Sequence, residues 1–174
     1  GISASPGNQG EDGWKGWKGK LGVDARWEHN VVVLDAEGKI TEDWTQWDSL
    51  FRRPHSVTMN PYDPEKHIWI VEDRNHVVYE FSHDGKQLVK TMGVKGVSGT
   101  DSTHFNRPTF LAWLPDGKSF FYTRYPRRNE RPAEDHEFYM QVYHHTLDTP
   151  TEQDRYELGK DFPKSAEVVI ETSH

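Results

Sequence analysis

The chain has 174 residues, enough for one domain with a core or for several small repeats. Its formal charge of −7 repels phosphate, so we do not expect nucleic-acid binding. The absence of cysteine excludes disulfides, thiolate zinc sites and cysteine nucleophiles. No apolar run approaches the roughly 18 residues of a membrane helix, and no signal peptide is visible. We therefore expect a soluble protein without a membrane partner, in an unknown compartment.

Residues 1–21 are predicted to be a mobile N-terminal arm, because the stretch begins rich in Gly, Ser and Asn without periodicity. Trp and Lys alternate in its second half, from Trp14 to Lys20. One interpretation is stacking of the Trp rings on bases or sugars, with Lys on phosphates. The acidic balance favours the other interpretation, in which the rings pack on neighbouring sheets.

A repeated hairpin pattern follows the arm. Residues 30–41 predict a strand, a tight Ala-Glu-Gly turn and a second strand. Residues 77–88 have the same pattern, with Gly85-Lys86 in the place of Gly38-Lys39. This spacing indicates an internal repeat.

The segment 53–88 is the most informative part of the chain. It contains β-rich apolar runs at 56–59, 68–71 and 77–81, and a fourth begins at Gln87. Turn residues separate these runs, which predicts a four-stranded antiparallel β-meander, one blade of a β-propeller. Since a blade takes roughly 40–50 residues and propellers close with about four to eight blades, we expect about three blades, in a partial or oligomer-completed ring.

A second repeat aligns Arg53-Pro54 with Arg107-Pro108, and each pair precedes an apolar run. Further strands are predicted at 119–125, 138–147, 155–158 and 167–172. The sequence has no amphipathic helix of ordinary length. The predicted class is therefore all-β.

Residues 22–105 are interpreted as blades of the NHL-repeat class. The match extends from about residue 31 to 121 and resembles the six-bladed lyase domain of peptide α-amidation, peptidyl-α-hydroxyglycine α-amidating lyase. The motifs that carry the resemblance are Pro54-His-Ser-Val57, Trp69-Ile-Val-Glu-Asp-Arg-Asn-His-Val-Val-Tyr-Glu-Phe81 and Thr103-His-Phe-Asn-Arg-Pro-Thr109.

Residues 106–174 are interpreted as one blade of a second lineage and the start of the next. Leu111-Ala-Trp-Leu-Pro-Asp-Gly-Lys118 and the segment 139–154 resemble the propeller of prolyl oligopeptidases. Asp148 departs from that family's pattern, which has Gly at this position. We infer a hybrid of two propeller lineages, joined by recombination or by design.

The lyase resemblance implies metal ligands. In that family three His from different blades hold zinc, and the first lies in a Pro-His-x-Val/Leu motif, so the resemblance places His55 at a zinc ligand and the Val57 carbonyl at a calcium contact. Zinc needs three or four converging ligands, and Thr109 stands where a further His is expected. We therefore predict that His55 is a hydrogen-bonded residue near the blade mouth, and no cofactor is certain.

Other His residues are not expected to complete the site. His67 precedes a strand, His76 and His83 lie at turns, and all three are predicted to face solvent. His144 and His145 should point to opposite sides of one strand. No Gly-x-Ser-x-Gly nucleophile elbow is present, so serine hydrolysis is not expected.

The favoured function is a non-catalytic scaffold or binding module that self-associates through open blade edges. One alternative is a metal-dependent lyase-like propeller. The other is a substrate-gating propeller segment of a prolyl oligopeptidase-type serine peptidase. The corresponding partners are a second copy of the chain, a peptide ligand or a hydrolase domain.

Overall fold

The computed structural model describes residues 2–4, 28–99 and 103–172. Its first sheet has three antiparallel strands in the order β1-β2-β3. These are β1 (Ile2–Ala4), β2 (Val31–Leu34) and β3 (Ile40–Asp43). β1 belongs to the predicted arm, and the rest of residues 1–21, including the Trp-Lys repeat, lies outside the described residues.

Two four-stranded antiparallel meanders follow, as predicted. Strands β4 to β7 pair in chain order, and β8 to β11 do the same. Their bounds are β4 (Pro54–Met59), β5 (Ile68–Glu72), β6 (Val77–Phe81), β7 (Leu88–Met92), β8 (Pro108–Trp113), β9 (Ser119–Arg124), β10 (Gln141–Thr146) and β11 (Arg155–Leu158). The first strands of neighbouring sheets lie side by side, because β4 contacts both β1 and β8.

The Arg-Pro repeat marks the start of each first strand. Pro54 opens β4 and Pro108 opens β8. Proline donates no ladder hydrogen bond, so the first residue of a strand is one of the few places that accept it. A register shift follows each proline, between Pro54 and Ser56 and between Pro108 and Leu111. The two meanders therefore share a β-bulge near the start of the first strand as well as the Arg-Pro motif.

The second sheet lies between the other two, and this position explains its sequence. All five residues of β5 are buried, and four of the five residues of β6 are buried. Strands covered on both faces carry continuous apolar runs instead of alternating ones. Trp69 packs against Trp113 of the third sheet with ring centroids 4.9 Å apart, whereas Phe81 contacts Trp44 and Trp47 on the other side.

The predicted terminal strand at 167–172 is wrong. This segment forms no assigned strand and instead lies over the outer face of the third sheet, where Val168 packs with Met140 and Val142. Its apolar residues fit the β pattern, but they pack on the face of the sheet instead of pairing with a strand edge.

The described residues contain short 3-10 helices at Thr45–Leu50, Ala133–Asp135 and Thr151–Gln153. No helix in this part of the chain is long and apolar enough to cross a membrane. Sheets of antiparallel strands account for the architecture, which confirms the all-β prediction of about three blades.

Candidate functional site

At one end of the two meanders β4 and β8 begin, and the β5–β6 turn lies beside them. We call this end the mouth, and define it by Arg53, Arg107 and residues 73–76 of the turn. The Asp73 carboxylate is fully buried there. It accepts two hydrogen bonds from the Arg53 guanidinium, one of them from Nε at 2.6 Å. Nη2 of Arg107 lies 3.5 Å from the same carboxylate.

Asp73 therefore joins the two Arg-Pro motifs. Arg53 precedes the first strand of one blade and Arg107 precedes that of the next. Burial lowers the pKa of Arg53, and the cationic neighbours Arg74 and Arg107 lower it further. Asp73 partly offsets this repulsion and links two blades at the mouth.

Glu72 fixes the backbone around this ion pair. Its buried carboxylate accepts the N–H groups of Arg52 and Arg53 at 2.7 Å each, and also those of Arg74 and Asn75 at 3.1 and 3.4 Å. Burial raises the pKa of Glu72, although the four hydrogen bonds act in the opposite direction. The Glu72 side chain thus fixes two pieces of backbone, the segment that leads into β4 and the β5–β6 turn.

The prediction that His76 faces solvent is wrong. Its Nδ1 accepts the backbone N–H of Arg107 at 3.1 Å, which ties the turn to the next blade. Burial lowers the pKa of His76 to about 4, and nearby guanidinium groups add to the effect. The imidazole is therefore neutral at pH 7 and can accept this hydrogen bond. Both His76 and Arg107 have a positive φ, at 58° and 50°, a conformation that is uncommon for non-glycine residues and concentrates at functional sites.

A cavity of about 340 Å³ opens beside Arg107. Arg107 is only 9% exposed, and its Nε and Nη2 have no hydrogen-bond partner among the described residues. Its Nη1 donates to Glu137 at 2.5 Å, and its guanidinium lies 4.3 Å from the centre of the Tyr125 ring. The charged side chains and imidazoles that line the cavity are Arg52, Arg74, His76, Arg107, Arg128, His136 and Glu137.

The cavity is strongly cationic. Four guanidinium groups face a single carboxylate, and those of Arg52, Arg74 and Arg128 form no ion pair with the residues that the structure describes. Guanidinium groups bind carboxylates and other oxyanions through paired, charge-assisted hydrogen bonds. The arrangement can therefore hold a small anionic group.

The loop that carries Arg128 is anchored by a second ion pair. The buried Arg124 donates to both carboxylate oxygens of Glu130, at 2.8 and 2.9 Å, and the Arg127 N–H donates at 2.8 Å. Burial raises the pKa of Glu130, but these hydrogen bonds outweigh it and hold the pKa at about 2.

Replacing Glu130 by Gln is expected to reduce stability at pH 7 by about 1–2 kcal/mol, because Arg124 loses its counter-ion while solvent screens part of the loss. A depressed carboxyl pKa stabilises the fold fully above its ordinary value of 4.5, and this contribution is lost as pH falls through about 2. Urea denaturation from pH 7 to pH 2 should show the two proteins converging. Glu134→Gln, at an exposed carboxylate nearby, serves as the control, and a pH-independent difference would contradict the assignment.

The predicted metal ligands lie on β4. His55 packs edge-on against Phe110 of β8, with ring centroids 5.0 Å apart, and its Nδ1 is buried without a hydrogen-bond partner among the described residues. Burial and then Arg53 lower its pKa, against the effect of a hydrogen bond to the Thr109 backbone. Val57 packs against the cluster between the first two sheets. No group of three potential ligands in the described part of the chain includes His55, so metal binding at His55 and Val57 stays a prediction.

Of the remaining predictions for His residues, some are correct and one is wrong. His83 is exposed, as predicted. His145 is buried against Phe120 while His144 contacts Phe121, so the two rings point to opposite sides of β10. The prediction for His67 is wrong, because its side chain is only 15% exposed and pairs with Asp63.

Stacked antiparallel sheets with adjacent first strands and a polar mouth define a segment of a β-propeller. A family model described as the prolyl oligopeptidase, N-terminal beta-propeller domain matches residues 66–173, and the chain belongs to this family. The match begins at the end of the β4–β5 turn and covers strands β5 to β11. It therefore also covers part of the segment 22–105, which was interpreted as NHL-like blades.

Two curated relatives are similar to about half of the chain. A probable peptidyl-alpha-hydroxyglycine alpha-amidating lyase of Caenorhabditis elegans is 27% identical over 90 residues, which cover 52% of this chain and 24% of that protein. The peptidyl-alpha-hydroxyglycine alpha-amidating lyase 1 of Drosophila melanogaster is 32% identical over 97 residues, which cover 53% and 17% respectively. The aligned part thus spans a quarter or less of each relative. Both resemblances seen in the sequence are confirmed.

Sequence reasoning missed the cationic cavity. The sequence shows the repeated Arg-Pro pairs and four Arg residues between 124 and 131. That these residues converge depends on the packing of neighbouring blades. Two features of the sequence could have indicated the cavity. An Arg precedes both β4 and β8, and Arg74 lies in the β5–β6 turn at the same end of the sheet.

Proposed function

We propose that the chain is a non-catalytic β-propeller binding module whose mouth binds the terminal carboxylate of a peptide. The observation that carries this proposal is the cationic cavity beside Arg107. A carboxylate would pair with guanidinium groups that have no counter-ion among the described residues. Arg52, Arg74 and Arg128 line the cavity and would pair with this carboxylate, whereas the unpartnered Nε and Nη2 of Arg107 are buried away from it.

The size and charge of the site favour a peptide end over a polyanion. A volume of about 340 Å³ is at the small end of ligand pockets. The chain as a whole carries a charge of −7, which opposes a long phosphate backbone but not a single carboxylate. Shape and charge together therefore suit the last residue or two of a peptide.

Replacing Arg74 or Arg128 by Gln is expected to weaken binding of a short free-acid peptide about tenfold in each case, since one charge-assisted hydrogen bond is worth roughly 1.5 kcal/mol or more. Calorimetric titration measures the change. Arg155→Gln is the matched control, because its side chain is 72% exposed and lies on β11. Equal affinities in all four proteins, or no binding by the unchanged protein, would contradict the proposal.

We also propose that two copies associate through the open face of the last blade. A groove of about 520 Å³ lies there between the third sheet and the C-terminal segment. Large apolar side chains beside it are exposed, with Val169 at 70%, Leu158 at 42% and Phe162 at 39%. In the second sheet the corresponding faces are covered by neighbouring sheets, so a second copy would supply the missing cover.

Sedimentation of the unchanged protein at micromolar concentration is expected to give a dimer, and Val169→Asp is expected to give a monomer. Val89→Asp, at a residue 49% exposed on β7, should remain dimeric. A monomeric unchanged protein, or a dimer that survives Val169→Asp, would contradict this mode of association.

A further inference from the structure

The opposite end of the second sheet carries a group of side chains that the proposed function does not use. The β4–β5 turn contributes Asp63 and His67, and β6 contributes Glu80. One ligand atom from each residue lies within 4.8 Å of the other two. The side chains are 18%, 15% and 13% exposed respectively.

The imidazole of His67 lies at the centre of this group. Its Nδ1 is 2.5 Å from Asp63 Oδ2 and 3.5 Å from Glu80 Oε1. Its Nε2 is 3.4 Å from Oε2 of Glu65 on the other side of the ring. Three carboxylates therefore surround one imidazole, and the four groups carry a net charge of −2 even when His67 is protonated.

Lysine offsets only part of this charge. Lys90, which faces Glu80 across the β6–β7 ladder, directs its ammonium group to Asp148 of the next blade. Glu80 itself accepts no hydrogen bond from the described residues, although its side chain is largely buried, and its ion pair with His67 is loose. A cation between Asp63, His67 and Glu80 would give the Glu80 carboxylate a closer positive partner than the imidazole does.

We propose that Asp63, His67 and Glu80 form a site for a divalent transition metal such as Zn²⁺. Zinc binds His nitrogen and carboxylate oxygen at about 2.0–2.2 Å, so ligand atoms in a tetrahedral site lie roughly 3.4 Å apart. The distance between Nδ1 and Glu80 Oε1 already has this value. The distance between Nδ1 and Asp63 Oδ2 needs to widen by roughly 1 Å, which is within reach of small side-chain rotations.

The surroundings of the three ligands support this assignment. Asp63 is oriented by the backbone N–H groups of Glu65 and His67, which it accepts at 3.0 Å each. The Glu65 carboxylate faces Nε2 of His67 and can hold the tautomer that leaves Nδ1 free for the metal, an arrangement common around metal-bound imidazoles. Metal binding at Nδ1 replaces the hydrogen bond between Nδ1 and Asp63, and a proton held in that hydrogen bond is released to solvent. The imidazole favours a transition metal over Mg²⁺ or Ca²⁺, which prefer sites made of oxygen.

The test is a titration of untagged protein with Zn²⁺ at pH 7.5 against a colorimetric chelator, and a parallel titration with Mg²⁺. We expect one tight equivalent of Zn²⁺, weaker binding of Mg²⁺, and at least a tenfold loss of Zn²⁺ affinity in both Glu80→Gln and His67→Gln. His83→Gln is the matched control, because this exposed imidazole lies on the neighbouring turn. It should bind as the unchanged protein does.

Melting temperatures show whether a variant loses Zn²⁺ because its site is changed or because it no longer folds. Zn²⁺ should raise the melting temperature of the unchanged protein and of His83→Gln, but not of Glu80→Gln, whose metal-free melting temperature should remain normal. If Glu80→Gln and His67→Gln bind Zn²⁺ as tightly as the unchanged protein does, the site is wrong. Loss of the tight equivalent in His55→Ala would also overturn the proposal and would place the metal at the mouth instead.

Discussion

Replacing Asp73 by Ala is expected to lower the free energy of unfolding by about 3–5 kcal/mol, the usual cost of removing one partner from a buried ion pair. The Asp73 carboxylate is fully buried, and the side chains of Arg53 and Arg107 are 13% and 11% exposed. Without it, two guanidinium groups from neighbouring blades would face each other with little access to water. Urea denaturation at pH 7 measures the loss.

Asp148→Asn provides the control for this result. Asp148 pairs with Lys90 on the surface, where it is 77% exposed, and such pairs contribute about 0–1 kcal/mol. Its φ of 65° is tolerated by Asn, so the backbone is not strained by the change. If Asp73→Ala costs no more than Asp148→Asn, Asp73 does not link the blades.

Replacing Gly85 by Ala is expected to cost at least about 3 kcal/mol. A Cβ at this position would lie 2.1 Å from Trp44 Cε2, and the φ of 65° is unfavourable for Ala. Trp44 is buried between the first two sheets, and the Gly85 carbonyl accepts the indole N–H of Trp47 at 2.7 Å. The ring would therefore have to move out of a packed interface, as in other overpacked cores.

Gly38 is the natural control, because it occupies the equivalent turn of the first hairpin. Its φ is 83°, and nothing lies within 4 Å of a Cβ added there. Gly38→Ala should therefore cost only the backbone penalty, about 1–2 kcal/mol. Thermal or urea unfolding compares the two variants, and equal losses would mean that contact with Trp44 is not what requires glycine at position 85.

The strands were predictable because each apolar run is short and bounded by Pro, Asp, Asn or Gly. The run at 77–81 coincides with β6, and 155–158 coincides with β11. The segment 167–172 has the same local pattern but forms no strand, because a pattern of apolar residues does not specify whether they pack on the face of a sheet or pair along its edge. Local sequence therefore defined the blades, while pairing at the last one depended on tertiary structure.

The sites were less predictable, since they depend on contacts between blades. His76 appears as a turn residue in the sequence, yet it accepts a hydrogen bond from Arg107, 31 residues later. His67 likewise lies before a strand in the sequence but meets Glu80 on the next strand. The Arg-Pro repeat identified Arg53 and Arg107 without indicating that both reach Asp73.

The central claim is that the cationic mouth recognises a carboxylate, and one comparison tests it most directly. The affinity of the unchanged protein is measured for a short peptide with a free C-terminal carboxylate and for the same peptide with a C-terminal amide. We expect the free acid to bind at least tenfold more tightly, with a preference that declines as salt is added. Equal affinity for the two peptides would show that the guanidinium groups at the mouth do not recognise the carboxylate.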